Sequence, residues 1–276
     1  MSPRWLATAV ALTLLLAALC GYAALCLLFY QGQWQLLFHP SRTLSATPAT
    51  TGLSFDEIHF DVHDDGQPQL NGWWIPASTS APYATDTVLY LHDGNGSLSD
   101  CMPALDTLHT AGINIFAFDY RGFGRSAGAH PTEATATADS MAAWTWLTDT
   151  RHLPPRNLIV FGDGVGATFA AHLGVQFAPA GIILEDPNPT ARQIFRSDAR
   201  ARILPLWLLQ NENLDPAADL AASHIPRIFL DRTGDSARTR ALFEASSYPK
   251  QYVDLRSSPE PALIASLRRF FDDVLR

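Results

Sequence analysis

The hydrophobic pattern divides the chain into an apolar N-terminal run and a longer region where short apolar runs alternate with amphipathic ones. From Trp5 to Phe29, a run of 25 residues, no residue is charged, and as a helix this run would be about 38 Å long. A bilayer core needs only about 20 apolar residues, and a cleavable signal peptide usually has an apolar stretch of about 7–15 residues. The run therefore predicts one transmembrane helix, retained as an uncleaved signal anchor.

Few charges flank this apolar run. Arg4 is the only charged residue before it, and Arg42 is the first after it. By the positive-inside rule, this distribution favours a cytoplasmic N-terminus and an extracytoplasmic position for the rest of the chain. The expected division is residues 1–30 as the anchor, 31–52 as a linker and post-anchor segment, and 53–276 as one globular domain.

Beyond the linker, strand-like and helix-like patterns alternate. The strand-like runs are Ile58–Val62, Gly72–Pro76, Thr87–His92, Ile113–Asp119, Asn157–Gly162, Gly181–Glu185, Arg227–Asp231 and Gln251–Leu255. The helical patterns are Leu98–Thr110, Glu133–Thr148, Val165–Gln176, Ser236–Ala245 and Pro261–Leu275. The central runs are continuously apolar, which is typical of parallel strands covered on both faces. This alternation predicts an α/β fold with a doubly wound, mostly parallel sheet, and the first two strands, with no helix between them, predict an antiparallel edge.

One stretch, Asn188–Ser223, is less regular. It contains an apolar run from Ile203 to Leu209 that Pro205 interrupts. The stretch is either a crossover connection between two strands or a small cap over a pocket, and the crossover interpretation is favoured.

Composition narrows the possible functions. The formal net charge of −8 argues against a nucleic-acid partner, because neutralising phosphates requires a basic face. Cys20 and Cys26 lie inside the apolar run, which leaves Cys101 alone in the domain. A disulfide within the domain and a cysteine-based metal site are therefore excluded, and neither a metal nor a cofactor is predicted.

The segment Leu158–Gly166 has the layout of a nucleophile elbow, in which an apolar strand enters a tight turn and then a helix. Small residues must flank the nucleophile because the strand and the helix pack closely around it. Gly162 and Gly166 occupy the two small positions, which leaves Gly164 at the nucleophile position. The frame cannot shift to make Asp163 the nucleophile, because Phe161 would then stand where a small residue is required.

Three further motifs precede the elbow in the chain. They are Leu37–Arg42 (LFHPSR), Gly72–Pro76 (GWWIP) and Asp119–Ser126 (DYRGFGRS). With these motifs the chain resembles the α/β-hydrolase superfamily, in particular its membrane-anchored serine peptidase and thioesterase-like branch. The resemblance implies an α/β-hydrolase fold behind the transmembrane helix, with a serine, an acid and a histidine following one another along the chain.

The chain departs from that family at the catalytic positions. Gly164 has no side chain with which to attack a substrate. The family's histidine would fall near Glu260, yet no histidine follows His224 in the sequence. The family's acid best matches Asp235, with Asp231 as the second choice. These losses leave no intact triad and predict a pseudoenzyme.

The oxyanion loop departs as well. The resemblance places oxyanion donors at Val165 and in the loop that follows the third strand, where relatives have glycine directly after the histidine. Here Asp93 follows His92, and its carboxylate would oppose the negative charge that such a site stabilises.

Three functions remain open. The favoured one is a membrane-anchored, non-catalytic protein that binds a small molecule or a protein. The alternative is an active hydrolase of an ester, thioester or peptide by an unusual mechanism. The third is an intact serine peptidase or thioesterase, which would need a serine at position 164 that the chain does not have. Five acidic residues at strand ends are interpreted as capping residues rather than ligands of a hard cation: Asp93, Asp163, Glu185, Asp186 and Asp231.

A binding site for an amphipathic cation is one more hypothesis. Asp163 would lie at the floor of a crevice above the elbow, and Trp207 would line its wall. The competing interpretation places Trp207 in the core and leaves the crevice collapsed.

Overall fold

A computed structural model describes residues 3–62, 69–232, 236–256 and 260–276. Its helices are α1 Pro3–Gly32, α2 Met102–Ala111, α3 Glu133–Thr145, α4 Gly166–Phe177, α5 Ala191–Ser197, α6 Leu206–Leu209, α7 Ala217–Ala222, α8 Ser236–Ala245 and α9 Glu260–Leu275. The strands of its main sheet are β1 Asp56–Asp61, β2 Gln69–Ile75, β3 Tyr83–Leu91, β4 Ile113–Asp119, β5 Leu158–Asp163, β6 Gly181–Glu185, β7 Arg227–Asp231 and β8 Lys250–Asp254.

The main sheet has the strand order β8-β7-β6-β5-β3-β4-β2-β1. From β8 to β4 every neighbouring pair is parallel, whereas β2 pairs antiparallel with both β4 and β1. The predicted α/β fold with a mostly parallel sheet is therefore confirmed, and so is its antiparallel edge. Because β5 lies at the centre, its carboxyl end faces the crevice where ligands of open α/β sheets bind.

Alternate side chains of the central strands face opposite layers, which explains why these strands are apolar throughout. On β5, Val160 packs with α3 and α4 on one face of the sheet. Its neighbours Ile159 and Phe161 pack with α2 and α9 on the other face. Burial on both faces favours an uninterrupted apolar run in each strand.

The helix α1 stands apart from this core. Its window of highest hydropathy averages 2.4, and none of that window is buried against the rest of the molecule. The helix is long and apolar enough to span a membrane. Its C-terminal part, from Tyr22 onward, makes side-chain contacts with the domain through Tyr22 and Phe29.

Residues 188–223 connect the parallel strands β6 and β7 through α5, α6 and α7. This connection is the crossover that the sequence favoured, and it also packs against the end of α1. The Tyr22 hydroxyl donates to the Ile203 carbonyl over 2.9 Å, and the rings of Phe29 and Phe195 lie 5.3 Å apart.

The post-anchor segment joins α1 to two loops at the carboxyl edge of the sheet. The His39 N–H donates to the Gly94 carbonyl over 2.6 Å, and the Ser41 N–H donates to the Gly96 carbonyl over 2.7 Å. The Arg42 guanidinium donates to the Ser126 carbonyl over 2.7 Å. These bonds link the loop after β3 and the loop after β4 to the segment that follows α1.

Candidate functional site

The turn between β5 and α4 has the backbone of a nucleophile elbow. Gly164 stands at its tip with a φ of +55°, in the left-handed region that glycine adopts without a steric penalty. A Cβ on Gly162 would lie 2.4 Å from the Gly166 carbonyl oxygen, and a Cβ on Gly166 would lie 2.1 Å from the Leu91 carbonyl oxygen. The strand and helix are thus as close as the sequence pattern predicted, and the flanking positions accept only glycine.

The space that a nucleophile's side chain would fill is taken by Asp93. A Cβ built on Gly164 would lie 2.2 Å from Asp93 Oδ1, 2.5 Å from its Cγ and 2.9 Å from its Cβ. Atoms at these distances overlap, so any side chain at position 164 would have to displace the aspartate.

The Asp93 carboxylate is held there by three donors. Its Oδ1 accepts the Val165 N–H over 3.0 Å and the Asn188 Nδ2 over 2.6 Å. Its Oδ2 accepts the Asn95 Nδ2 over 2.5 Å. The Val165 N–H is the donor that the family resemblance assigns to the oxyanion, and it is already engaged by the chain's own carboxylate.

Two other acids surround the elbow. Burial, together with the charges of Glu185 and Asp93, raises the pKa of the half-buried Asp163 to about 8. The Tyr90 hydroxyl donates to Asp163 Oδ2 over 3.3 Å. Burial also raises the pKa of Glu185 to about 7, against the opposing effect of Arg232, whose Nε lies 2.7 Å from Glu185 Oε1. Burial is the main reason that the Asp163 carboxyl favours its protonated form, and the neighbouring negative charges add to it.

The histidine closest in sequence to the elbow loops, His92, is a buried structural residue. Its Nδ1 lies 2.6 Å from the Asp93 carbonyl oxygen, to which it donates. Its ring packs on Tyr120 and Phe123, with centroid distances of 4.4 and 4.9 Å. Burial lowers the pKa of His92 to about 4, so the ring is neutral at physiological pH and rigidifies the loop that carries Asp93.

Of the positions matched to the family's acid and histidine, the structure describes Asp231 and Glu260. Asp235 lies outside the described residues. Asp231 is fully buried, and its Oδ2 accepts the Tyr252 hydroxyl over 2.5 Å. Glu260 starts α9, and its Oε1 accepts the Thr107 hydroxyl over 3.0 Å, which ties α9 to α2.

His224, the last histidine in the chain, is exposed before the first residue of β7, Arg227. It therefore lies at the amino end of the strand, opposite the edge that carries the elbow. The predicted lack of a general base next to the elbow rests on this placement and on the absence of any later histidine in the sequence.

The competing interpretation, which placed Trp207 in the core, is wrong. Trp207 lies on the short helix α6 and is 80% exposed, and its place on the wall of a crevice above the elbow stays a prediction. The reason for its exposure is local: Pro205 breaks the apolar run immediately before α6. Within the ranges that the structure describes, no group of three or more His, Cys, Asp and Glu side chains could hold a metal ion.

The sequence did not single out two residues that define the site, Asn188 and Asn95. Asn188 follows β6 closely and also donates its N–H to the Gly164 carbonyl over 3.2 Å. The carboxyl-edge rule that selected Glu185 and Asp186 would have found Asn188 two residues later, had amides been considered together with acids.

Comparisons with known proteins agree with the fold that carries this site. A family model described as serine aminopeptidase, S33, matches residues 83–244. The chain is 27% identical over 256 residues to an uncharacterized protein of Mycobacterium tuberculosis strain H37Rv, covering 88% of each. It is 32% identical over 124 residues to human alpha/beta hydrolase domain-containing protein 17B, covering 44% of this chain and 42% of the relative. The crystal structure of an esterase of Pyrococcus furiosus superposes with a TM-score of 0.69 at 19% identity, covering 87% of this chain and 99% of the esterase.

Proposed function

The chain belongs to the serine aminopeptidase S33 family of α/β hydrolases, and from its altered elbow we propose that it is a non-catalytic, membrane-anchored protein that binds a small molecule or a protein partner. One observation carries the proposal. The Asp93 carboxylate lies 2.2 Å from the place of a Cβ on Gly164 and accepts the Val165 N–H over 3.0 Å. The chain's own side chain therefore fills the nucleophile's space and uses an oxyanion donor.

Three requirements of serine hydrolysis are unmet together. Gly164 offers no hydroxyl, and no histidine follows His224 to accept a proton. A substrate carbonyl oxygen would also meet the Asp93 carboxylate where it needs donors for its developing negative charge. Binding and backbone dipoles alone leave only a small residual rate.

An active hydrolase of unusual mechanism, acting on an ester, thioester or peptide, is the second candidate. One observation favours it: the pKa of Asp163 is raised to about 8 by burial and by neighbouring acids. A protonated carboxyl beside the elbow could act as a general acid near neutral pH. The non-catalytic function remains the stronger proposal, because Asp163 has no nucleophile to work with at Gly164.

The anchor completes the proposal. We infer that α1 crosses the membrane once, stays attached, and leaves the domain on the extracytoplasmic side. Its lipid-compatible surface supports this, since none of its most apolar window is buried in the domain. The flanking charges support it as well, with Arg4 before the apolar run and Arg42 after it.

The test measures hydrolysis by the full-length protein in detergent. We expect no turnover of a p-nitrophenyl ester above a mock purification, and no labelling of the protein band by a fluorophosphonate probe. The variant Gly164→Ser should remain inactive, because its hydroxyl has no imidazole to activate it. The variant Asp163→Asn is the matched control for the second candidate. Turnover by the wild type that is lost in Asp163→Asn would overturn the non-catalytic proposal and support the unusual mechanism.

A further inference from the structure

The crossover exposes a compact set of large apolar side chains. Ile203, Trp207 and Leu208 are 65%, 80% and 64% exposed, and they are called the crossover patch here. Large apolar side chains that cluster on a surface mark a place of contact with another apolar phase. The patch is set apart from the core by Leu204, which is buried between the patch and the sheet.

The patch lies at the level where α1 leaves the membrane. Trp5 and Tyr22 are 17 residues apart, which is about 26 Å along a helix and close to the roughly 30 Å of a bilayer core. Tryptophan and tyrosine concentrate at the two membrane–water interfaces. The Tyr22 hydroxyl donates to the carbonyl of Ile203 over 2.9 Å, so one residue of the patch is bonded to the residue of α1 that marks the interface.

Two hydrogen bonds of the Gln33 side chain join the end of α1 to the crossover. Both polar atoms of the Gln33 side chain are used, since Nε2 donates to the Leu209 carbonyl and Oε1 accepts the Asn211 N–H, each over 3.1 Å. Gln33 is almost fully buried. Amide pairing of this kind fixes the short helix α6 relative to the end of α1, because a buried amide left unpaired would be costly.

A partly apolar cavity joins α1 to the crossover. It has a volume of about 290 Å³ and lies between the last turns of α1 and residues 198–204, with Leu25, Leu28, Phe29 and Leu204 in its lining together with Asp198 and Arg200. Next to the patch, Arg202 is exposed, which places a positive charge at the depth of lipid phosphates.

We propose that the crossover patch inserts into the leaflet surface from which α1 emerges, so that the domain rests on the bilayer. The occupant of the patch is the lipid of that same membrane. The inference rests on the proposal that α1 spans the bilayer. Its consequence concerns the site: the crossover begins at Asn188, which holds Asp93, so the elbow has a fixed orientation towards the membrane.

The test uses the full-length chain in nanodiscs that hold one copy each. The emission of Trp207 is obtained as the difference between the wild type and Trp207→Phe. Brominated phosphatidylcholine quenches tryptophan that lies in the bilayer, and iodide quenches tryptophan that lies in water. We expect brominated lipid to reduce the Trp207 emission strongly, and iodide to reduce it little.

A matched control places a tryptophan on the opposite face of the sheet. Arg269 is exposed on α9, which packs with the layer that does not contact α1. The double variant Trp207→Phe, Arg269→Trp should show the reverse pattern, with quenching by iodide and little by brominated lipid.

The outcomes separate the two proposals. The emission of Trp5, obtained from Trp5→Phe, reports whether α1 is in the bilayer. Quenching of Trp5 by brominated lipid, with Trp207 quenched only by iodide, overturns the seating of the patch and leaves the anchor intact. Protection of Trp207 from iodide that appears only in nanodiscs with two copies would also overturn the insertion of the patch into the bilayer. It would identify a second copy of the chain as the occupant of the patch. A Trp5 signal that brominated lipid does not quench overturns the anchor, and with it the inference.

Discussion

Replacing Gly164 by serine tests whether Asp93 truly occupies the nucleophile's space. A non-glycine residue at a φ of +55° costs about 1–2 kcal/mol in backbone strain. The new Cβ would also lie 2.2 Å from Asp93 Oδ1, so the carboxylate must leave its three donors. Asp93 is half-buried and regains water when displaced, so we count the loss of about one charge-assisted bond, worth about 1.5–3 kcal/mol. We expect Gly164→Ser to lower the free energy of unfolding by about 3–5 kcal/mol.

A double-mutant cycle separates the collision from the backbone strain. Asp93→Gly removes every Asp93 atom that a Cβ at position 164 would meet. By itself it removes the hydrogen bonds that the carboxylate accepts from Val165, Asn188 and Asn95. In that background Gly164→Ser should cost only the strain, about 1–2 kcal/mol. The double variant should therefore be more stable than the sum of the single changes predicts, by about 2 kcal/mol.

The assay is urea unfolding of the full-length protein in mild detergent, followed by tryptophan emission. Asp93→Ala is an internal control, because its Cβ would remain 2.9 Å from a Cβ on residue 164 and should relieve the collision only in part. Additive free energies in the cycle would refute the reasoning, since they would mean that the two side chains do not compete for one space.

Two more predictions concern pH and the N-terminus. The pKa of Asp163 is raised to about 8 by burial, so the folded chain keeps a proton that the unfolded chain releases near pH 4. The contribution of Asp163 to stability should therefore fall as the pH rises between those values, by at most about 1.4 kcal/mol per pH unit. Asp163→Asn should flatten that slope in unfolding measured at pH 5, 6 and 7, and equal slopes would contradict the assignment. Mass spectrometry of the membrane-extracted protein should find α1 intact, and an N-terminus beyond residue 20 would contradict an uncleaved anchor.

The sheet could be predicted from the sequence because each of its central strands is an uninterrupted apolar run. β4, β6 and β7 have the bounds that their apolar runs predicted. β2 is longer than predicted and starts at Gln69 rather than Gly72. The missed residues include polar Asn71, whose side chain bonds Glu57 on the antiparallel neighbour β1 over 2.9 Å. Pairing between polar side chains of two strands adds no apolar residue to either strand, so a search for apolar runs misses it.

The site could be predicted only in its parts. Gly164 and Asp93 were each identified from their motifs, but their contact depends on the path of two loops that are far apart in the sequence. An apolar run also does not reveal which of its residues face the core. Here Leu204 is buried, while Trp207, beyond Pro205, is exposed.

The two departures at positions 93 and 164 are one structural change. The Cβ of Asp93 would stand 2.9 Å from a Cβ on residue 164, so an aspartate at 93 and a serine at 164 exclude each other even before their polar atoms are considered. With glycine at 164, the aspartate satisfies the Val165 N–H that a substrate would otherwise use, and the unliganded elbow is stabilised. On the proposal that the chain is non-catalytic, serine chemistry would require both positions to change and a histidine near Glu260, and no single substitution supplies all three.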